Sequence, residues 1–430
     1  MIVKKIIEKI EGETELDFTF RNKRIEDIKI NYGFSRGIEN ILINKSAMDA
    51  LVITPRVCGI CNHAHLIASV KALENGYLKA GIEARLTEKA KDIREFTLTC
   101  ELIQNHIKWL YLTIIPQLEK ITLTKTNENH ALKASYLAST ITKALAIFAG
   151  QWPHSSYAIP FGVTCDPTYV DIIQAENIID ETIKFFEQIV IGMKLDKILE
   201  ISSVVELPKI GGDFGRVIQL LISNNMTDIG KSHSRFIVFG DSSLFKKGKS
   251  IPTQISNVDI RFIKEHSHLN TVAKDIVYKN KHYEVGSLAR GMINKQPIIK
   301  NLHKRYKDSF LTRIFARVYE IGILLNHSKK LLSNLDINQP SCSFNSNIKI
   351  DNFNGVGIVE AARGSLIHKT KVENGLIKEY KIIVPTQWNL SQGDKNEQGV
   401  AIKAMIGLKD IEKATFVFRS FDVCSVCIIK

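Results

Sequence analysis

Arg56-Val57-Cys58-Gly59-Ile60-Cys61-Asn62-His63-Ala64-His65 is the stretch on which the reading of this 430-residue chain turns. It has a counterpart at the far end: Arg419-Ser420-Phe421-Asp422-Val423-Cys424-Ser425-Val426-Cys427-Ile428-Ile429-Lys430. Each stretch holds a CxxC pair. Two intervening residues let the backbone fold round an ion with both sulfurs converging, and two such pairs supply four thiolates, a donor set suited to a soft transition metal. On cysteine number alone, a structural zinc ion tying the two termini together is the plainer reading. Spacing argues against it. Cys58 and Cys424 stand 366 residues apart, whereas the pairs of a zinc ribbon lie within about 20 residues of each other. Neither pair has the short polar knuckle of a ribbon.

The rest of the composition bounds the possibilities. A formal charge of +13 would permit a nucleic-acid partner. The lysines are scattered, however, in clusters no longer than Lys246–Lys247 or Lys329–Lys330, and there is no arginine-rich arm. A solvated, lysine-rich surface without nucleic acid is the expectation. With 44% hydrophobic and 24% charged residues the chain is an ordinary globular protein, expected as a single domain over residues 1–430. No run approaches the roughly 20 apolar residues of a membrane span, and the first residues lack the apolar core and cleavage site of a secretory signal. Seven cysteines are too few for a disulfide scaffold. Four of them in CxxC pairs point to metal or redox work, and to the cytoplasm.

Periodicity gives the architecture. Leu16-Asp17-Phe18-Thr19-Phe20 alternates with period two and Ile28-Lys29-Ile30 resumes the alternation after a charged turn, predicting a β-ribbon. Helical spacing predicts helices over Ala64–Ala80, Leu98–Leu112 (ending before Pro116), Ala131–Ala149 (stopping at Gly150 and Pro153), Val170–Met193 and Leu311–Leu332. Residues 200–300 read as mixed, with short β-like runs such as Phe236-Ile237-Val238-Phe239. Toward the tail, Ile377–Val384 and Thr415–Phe418 read as strands. The fold class that follows is α+β, mainly α: a long-helix bundle with β-ribbons near both chain ends.

The two signatures carry a resemblance. RVCGICNHAH resembles the RxCGxCxxxH signature of the nickel–iron hydrogenase large subunit, and SFDVCSVC resembles that family's C-terminal SFDPCxxC. The resemblance implies a Ni–Fe centre between the pairs, with Cys58 and Cys424 as terminal nickel ligands. Cys61 and Cys427 would bridge nickel to an iron carrying carbonyl and cyanide. The protein then holds and tunes a cofactor.

Other blocks resemble the same family in the same order. Ile10-Glu11-Gly12 is similar to its RIEGH, which implies that Glu11 carries protons to and from a nickel thiolate, although Lys9 and Glu13 replace the usual flanking Arg and His. Ser35-Arg36-Gly37-Ile38-Glu39 is similar to RGxE, implying that Glu39 is a magnesium ligand. The family's last residue is a histidine that joins that ion, and here it is Lys430, whose ammonium has no lone pair to offer. Either the Lys430 charge replaces the ion beside Glu39, or the site is rebuilt. His65 would donate a hydrogen bond to a bridging sulfur. Glu360-Ala361-Ala362-Arg363-Gly364-Ser365-Leu366-Ile367-His368 is similar to EAPRGxLxH. It implies that Arg363 overhangs the open metal positions, held by Asp422, with Ala362 and Val423 standing where the family has prolines.

Val384-Pro385-Thr386-Gln387-Trp388-Asn389 is similar to VPTTWN, a loop that packs Pro385 and Thr386 beside the iron's diatomic ligands. Gly150-Gln151-Trp152-Pro153-His154-Ser155-Ser156 is similar to a stretch of the cytoplasmic uptake and hydrogen-sensing branch. Asn105-His106 stands where many members have Asp-His, so Asn105 can hydrogen-bond to the active-site arginine but not pair with it. His63 is given no role, and Cys100, Cys165 and Cys342 fit no motif and read as small buried hydrophobes.

The resemblance thus implies reversible heterolytic cleavage of dihydrogen. The chain has no spare cysteine cluster for iron–sulfur centres, which implies a small subunit that carries them, with a higher oligomer of such heterodimers as a further expectation. A hydrogen-sensing subunit is the alternative within the family. The end of the chain at Lys430 fits either a mature subunit or one encoded without a removable extension. Outside the family, the related respiratory subunit that has lost the four cysteines is disfavoured by their presence, and a zinc-stapled scaffold remains the non-catalytic rival.

Overall fold

The computed structural model describes residues 2–10, 12–32, 36–124, 128–240, 242–251, 254–267, 274–343, 350–394, 396–422 and 424. Glu11, Val423, Cys427 and Lys430 lie outside the described residues.

The N-terminal ribbon is a three-stranded antiparallel sheet, Ile2–Ile10, Gly12–Arg21 and Arg24–Tyr32. The charged turn is Asn22-Lys23, both at positive φ, the pair of left-handed residues that a two-residue hairpin needs to match strand twist. Leu16, Phe18, Ile28 and Ile30 face the core. A second three-stranded meander, Phe353–Ala361, Gly364–Glu373 and Leu376–Ile383, uses Asn374-Gly375 in the same way.

Helices fill the middle: Asn62–Lys79, Glu88–Trp109, His130–Ala149, Tyr169–Phe185 and Phe310–Asn334. His130–Ala149 stops at Gly150, whose φ of 74° ends it. Apolar side chains from Leu16 to Cys424 merge into one large buried cluster. The mainly-α fold with ribbons near both ends is therefore observed.

Three local expectations need correction. The Glu88–Trp109 helix does not end before Pro116. It passes through a wider π turn, Leu110–Ile114, into Ile115–Thr122. Proline sits at the start of that last segment, where its missing N–H costs least. Thr415–Phe418 is not a strand but part of the Ile411–Arg419 helix. The Asp410 carboxylate caps it, accepting the N–H groups of Glu412 and Lys413, and burial of Phe416, Val417 and Phe418 overrides their β preference. Finally, Pro385–Asn389 is a short helix and not a loop.

The contact that matters most for the site is helix on strand. A Cβ on Gly357 would stand 1.9 Å from the Ala68 carbonyl oxygen, and one on Gly355 1.9 Å from that of Ala72. Bare glycine backbone thus lets the Asn62–Lys79 helix lie directly on the Phe353–Ala361 strand. One of these elements begins at Cys61 and carries His65; the other leads to Arg363.

Candidate metal centre

Cys58 is the extended residue that closes a short 3-10 turn, Thr54–Val57, and Cys61 is the N-cap of the Asn62–Lys79 helix. Between them the chain turns back so that the Cys61 N–H donates to Cys58 Sγ at 3.2 Å. Cys424 arrives from the other end of the chain, after the Ile411–Arg419 helix and a left-handed Asp422 (φ 54°). All three are buried. The sulfurs of Cys58 and Cys424 are 3.8 Å apart. That is far beyond a disulfide bond of about 2.05 Å, yet it suits two sulfurs each about 2.3 Å from one tetrahedral metal. Among the described residues no group of three or more His, Cys, Asp or Glu side chains closes on one point. Cys427, the remaining member of the two pairs, lies outside them.

Arg363 lies near enough for the charge of these sulfurs to act on its guanidinium. It is the second residue of the tight Ala362-Arg363 turn joining two strands paired through Ala361 and Gly364. Gly364 adopts φ 127°, and a Cβ there would press to 2.6 Å from Val285 Cβ and 2.7 Å from Gly286 N, so the hairpin tip is clamped against residues 285–286. Asn389 fixes the clamp from behind, accepting the Val285 N–H at 3.0 Å and donating to its carbonyl at 3.2 Å. The guanidinium donates from Nε to the Asp422 carbonyl at 2.9 Å and faces the Asp422 carboxylate at 3.3–3.4 Å. A third arm reaches Asn105 Oδ1 at 3.5 Å. Burial works against its charge, but Asp422 and the thiolates of Cys424, Cys61 and Cys58 more than reverse this, raising its pKa well above the ordinary arginine value. The result is a permanent cation in a dry, thiolate-lined site.

Several of its supports were not singled out in the sequence. The Phe310–Asn334 helix carries Arg313, Arg317 and Glu320 on one face, all buried. Arg317 pairs with Asp422 and lies over the Trp109 ring at 4.6 Å, so two guanidiniums share one carboxylate. Glu320 accepts from Arg290 at 2.6 Å and meets His106 at 2.9 Å. Arg290 also pairs with Glu360 at 3.1 Å and donates to the carbonyls of Ala361 and Ala362, the residues just before Arg363. The sequence signal was present, as charges spaced three and four residues apart in the largely apolar first half of the helix. Read alone, such charges could equally have faced solvent.

Glu101 was also missed. It lies one helical turn before Asn105, and its carboxylate accepts the His63 and Ala64 N–H groups at 2.8 and 3.0 Å, capping the helix that follows Cys61. Burial raises its pKa to about 7 in spite of those two hydrogen bonds.

His65 is buried, with Nδ1 3.0 Å from His368 Nε2. His63 stacks on Tyr157 and contacts Thr97 Oγ1 at 3.0 Å through Nε2, while its buried Nδ1 meets no partner among the described residues. Pro385 and Thr386 are buried at the start of their short helix. Glu39 stands apart, on the Ile38–Leu42 helix, where it accepts the Ile382 N–H at 2.6 Å. Burial raises its pKa to about 7, only partly offset by that hydrogen bond and by Lys274 and Lys381. Cys100 is fully buried, whereas Cys165 and Cys342 are half-buried.

Residues 36–115 and 261–430 match the model of the nickel-dependent hydrogenase family, a span that takes in both cysteine pairs. The alpha subunit of sulfhydrogenase 1 from Pyrococcus furiosus is 26% identical over 98% of this chain and 96% of its own length. The large subunit of the periplasmic [NiFeSe] hydrogenase of Desulfomicrobium baculatum is 24% identical over 98% and 93%. Among solved structures, the reduced Ni-Fe-Se hydrogenase of D. vulgaris Hildenborough superposes with a TM-score of 0.85 over 100% of both chains at 21% identity, a likeness of fold. No helix is long and apolar enough to cross a membrane among the described residues.

Proposed function

This chain belongs to the nickel-dependent hydrogenase family, and from that premise we propose that it is the catalytic large subunit of a nickel–iron hydrogenase, cleaving dihydrogen reversibly and heterolytically. The observation that carries the proposal is the meeting of Cys58 and Cys424, 366 residues apart in the chain, with sulfurs 3.8 Å apart and their charge acting on Arg363. A buried all-thiolate donor set fits a soft metal, and here it fits the family's cofactor.

Cys58, Cys61, Cys424 and Cys427 would hold nickel, with Cys61 and Cys427 also holding an iron that carries carbonyl and cyanide ligands. When bound, such a centre supplies the redox chemistry at which the H–H bond is broken. The chain's residues supply the surroundings. Arg363 keeps a fixed positive charge over the site, which favours any negative charge that develops beneath it. Asp422 holds that guanidinium in place, and Arg317 in turn holds Asp422. Glu11 takes up the proton and passes it outward. His65 offers an N–H to a bridging sulfur, and Pro385 and Thr386 pack about the iron's small ligands. Glu39 is the candidate magnesium ligand. The cation beside it is either magnesium or the ammonium of Lys430.

Electrons leave through a small subunit with iron–sulfur clusters, in a heterodimer located in the cytoplasm. The Gly150–Ser156 stretch supports the uptake and hydrogen-sensing branch, with a sensor as the second reading. An infrared spectrum of the purified protein tests the whole. Carbonyl and cyanide bands together with nickel by elemental analysis are expected, whereas one zinc per chain without nickel would establish the scaffold instead.

A further inference from the structure

One buried arginine grips the turn that presents Arg363. Arg290 lies on the Ser287–Ile293 helix and is 1% exposed. Every nitrogen of its guanidinium is engaged. Nε and Nη2 clasp the Glu320 carboxylate at 2.9 and 2.6 Å. Nη1 donates to Glu360 Oε2 at 3.1 Å and to the Ala361 carbonyl at 2.9 Å. Nη2 also reaches the Ala362 carbonyl at 3.2 Å. Two carboxylates already answer the buried charge. The grip on two successive carbonyls is an addition, and it needs the planar fork of an arginine.

Ala361 and Ala362 are the residues through which the chain enters the turn to Arg363. Peptide units are rigid planes, so holding these two oxygens fixes the planes 361–362 and 362–363. With them it fixes the direction in which the Arg363 side chain leaves the backbone. Residues 285–286 press on Gly364, after Arg363, and Arg290 holds the two residues before it. Glu320 extends the grip. Its Oε1 meets His106 Nε2 at 2.9 Å, and His106 follows Asn105, whose Oδ1 faces Arg363 Nη1 at 3.5 Å. One arginine–glutamate pair therefore ties down both the backbone root of Arg363 and the helix that carries Asn105.

We propose that Arg290, clasped by Glu320, is a positioning residue for dihydrogen cleavage: its hold on the Ala361 and Ala362 carbonyls sets where the Arg363 guanidinium stands. Arg290 acts through Arg363. A long side chain multiplies a small rotation at its root, and a group misplaced by about 1 Å costs about 10²-fold in rate. The proposal rests on the Ni–Fe reading.

The test compares Arg290→Lys, Arg363→Lys and the double variant, each as the loaded enzyme with its partner subunit. Lysine keeps a charge for Glu320 and Glu360 but is a point donor that cannot span both carbonyls. Arg290→Lys is expected to keep its nickel and its carbonyl and cyanide bands, and to lose about 10²-fold in turnover. The double variant is expected to be no slower than Arg363→Lys alone, since no fork is left to displace. A crystal structure of Arg290→Lys is expected to show the Arg363 guanidinium moved off the Asp422 carbonyl or split between two positions. An unmoved Arg363, or losses that multiply in the double variant, overturns the proposal. If Arg290→Lys does not load nickel, Glu320→Gln, which loosens the clasp and leaves Arg290 in place, goes through the same cycle and crystal. A wild-type enzyme without nickel and a carbonyl band overturns the Ni–Fe reading, and the position of Arg363 in the variant crystal then still decides the grip.

Discussion

Arg363 and Asp422 are joined through both main chain and side chain: the guanidinium donates to the Asp422 carbonyl at 2.9 Å and faces its carboxylate at 3.3–3.4 Å. The same carboxylate also pairs with Arg317. One buried anion therefore answers two buried cations, and the chain turns into its last cysteines at that anion.

Asp422→Asn removes the only charge of this junction that is shared. Leaving buried cations without their partner is expected to cost about 3–5 kcal/mol. Chemical denaturation of the metal-free chain, followed by far-UV circular dichroism, measures it. A loss under about 1 kcal/mol would mean that water or another carboxylate neutralises both arginines.

Arg363→Lys keeps the positive charge but loses the rigid fork that spans the Asp422 carbonyl, the carboxylate and Asn105. Dihydrogen oxidation is expected to fall by about 10²-fold or more, with nickel content unchanged by elemental analysis. Full activity would show that charge alone is enough.

Gly357→Ala tests the helix-on-strand contact. Its Cβ would lie 1.9 Å from the Ala68 carbonyl oxygen, which is helix backbone and cannot swing aside. A destabilisation of about 3 kcal/mol or more is expected, the upper end for overpacking, together with impaired nickel loading, since the displaced helix starts at Cys61. Thermal melting and metal analysis read the two effects separately.

Glu101→Gln should flatten the pH dependence of stability. The folded pKa of about 7 lies above the unfolded value near 4.5, so the protonated carboxyl favours the fold. That contribution is complete below the unfolded pKa and is lost as pH rises toward the folded one. Between these two values the wild-type melting temperature is expected to fall more steeply with pH than that of Glu101→Gln. Parallel curves would place the titration elsewhere.

Glu11→Gln leaves the cysteines untouched and removes the proposed proton carrier. Turnover is expected to drop by about 10²-fold or more, while the carbonyl and cyanide bands persist. Wild-type rates in the variant would take Glu11 off the proton path.

Much of this protein could be read from its residues in order. Ligand chemistry is a property of side-chain type and short spacing, so the two CxxC pairs declared themselves, and helices with a clear 3.6-residue period stood where the spacing put them. Local reading failed where packing outweighed propensity: Thr415–Phe418 has the composition of a strand but is buried as a capped helix, and a π turn carries the chain past Pro116.

What tertiary structure alone decided is which charges meet. Nothing near Asp422 in the chain announces Arg317, and nothing near His65 announces His368 or Tyr380. Periodicity states which face of an element is apolar. It cannot state which distant carboxylate or imidazole will be buried opposite a given cation, because that depends on how bare glycine backbone lets a helix settle onto a strand hundreds of residues away.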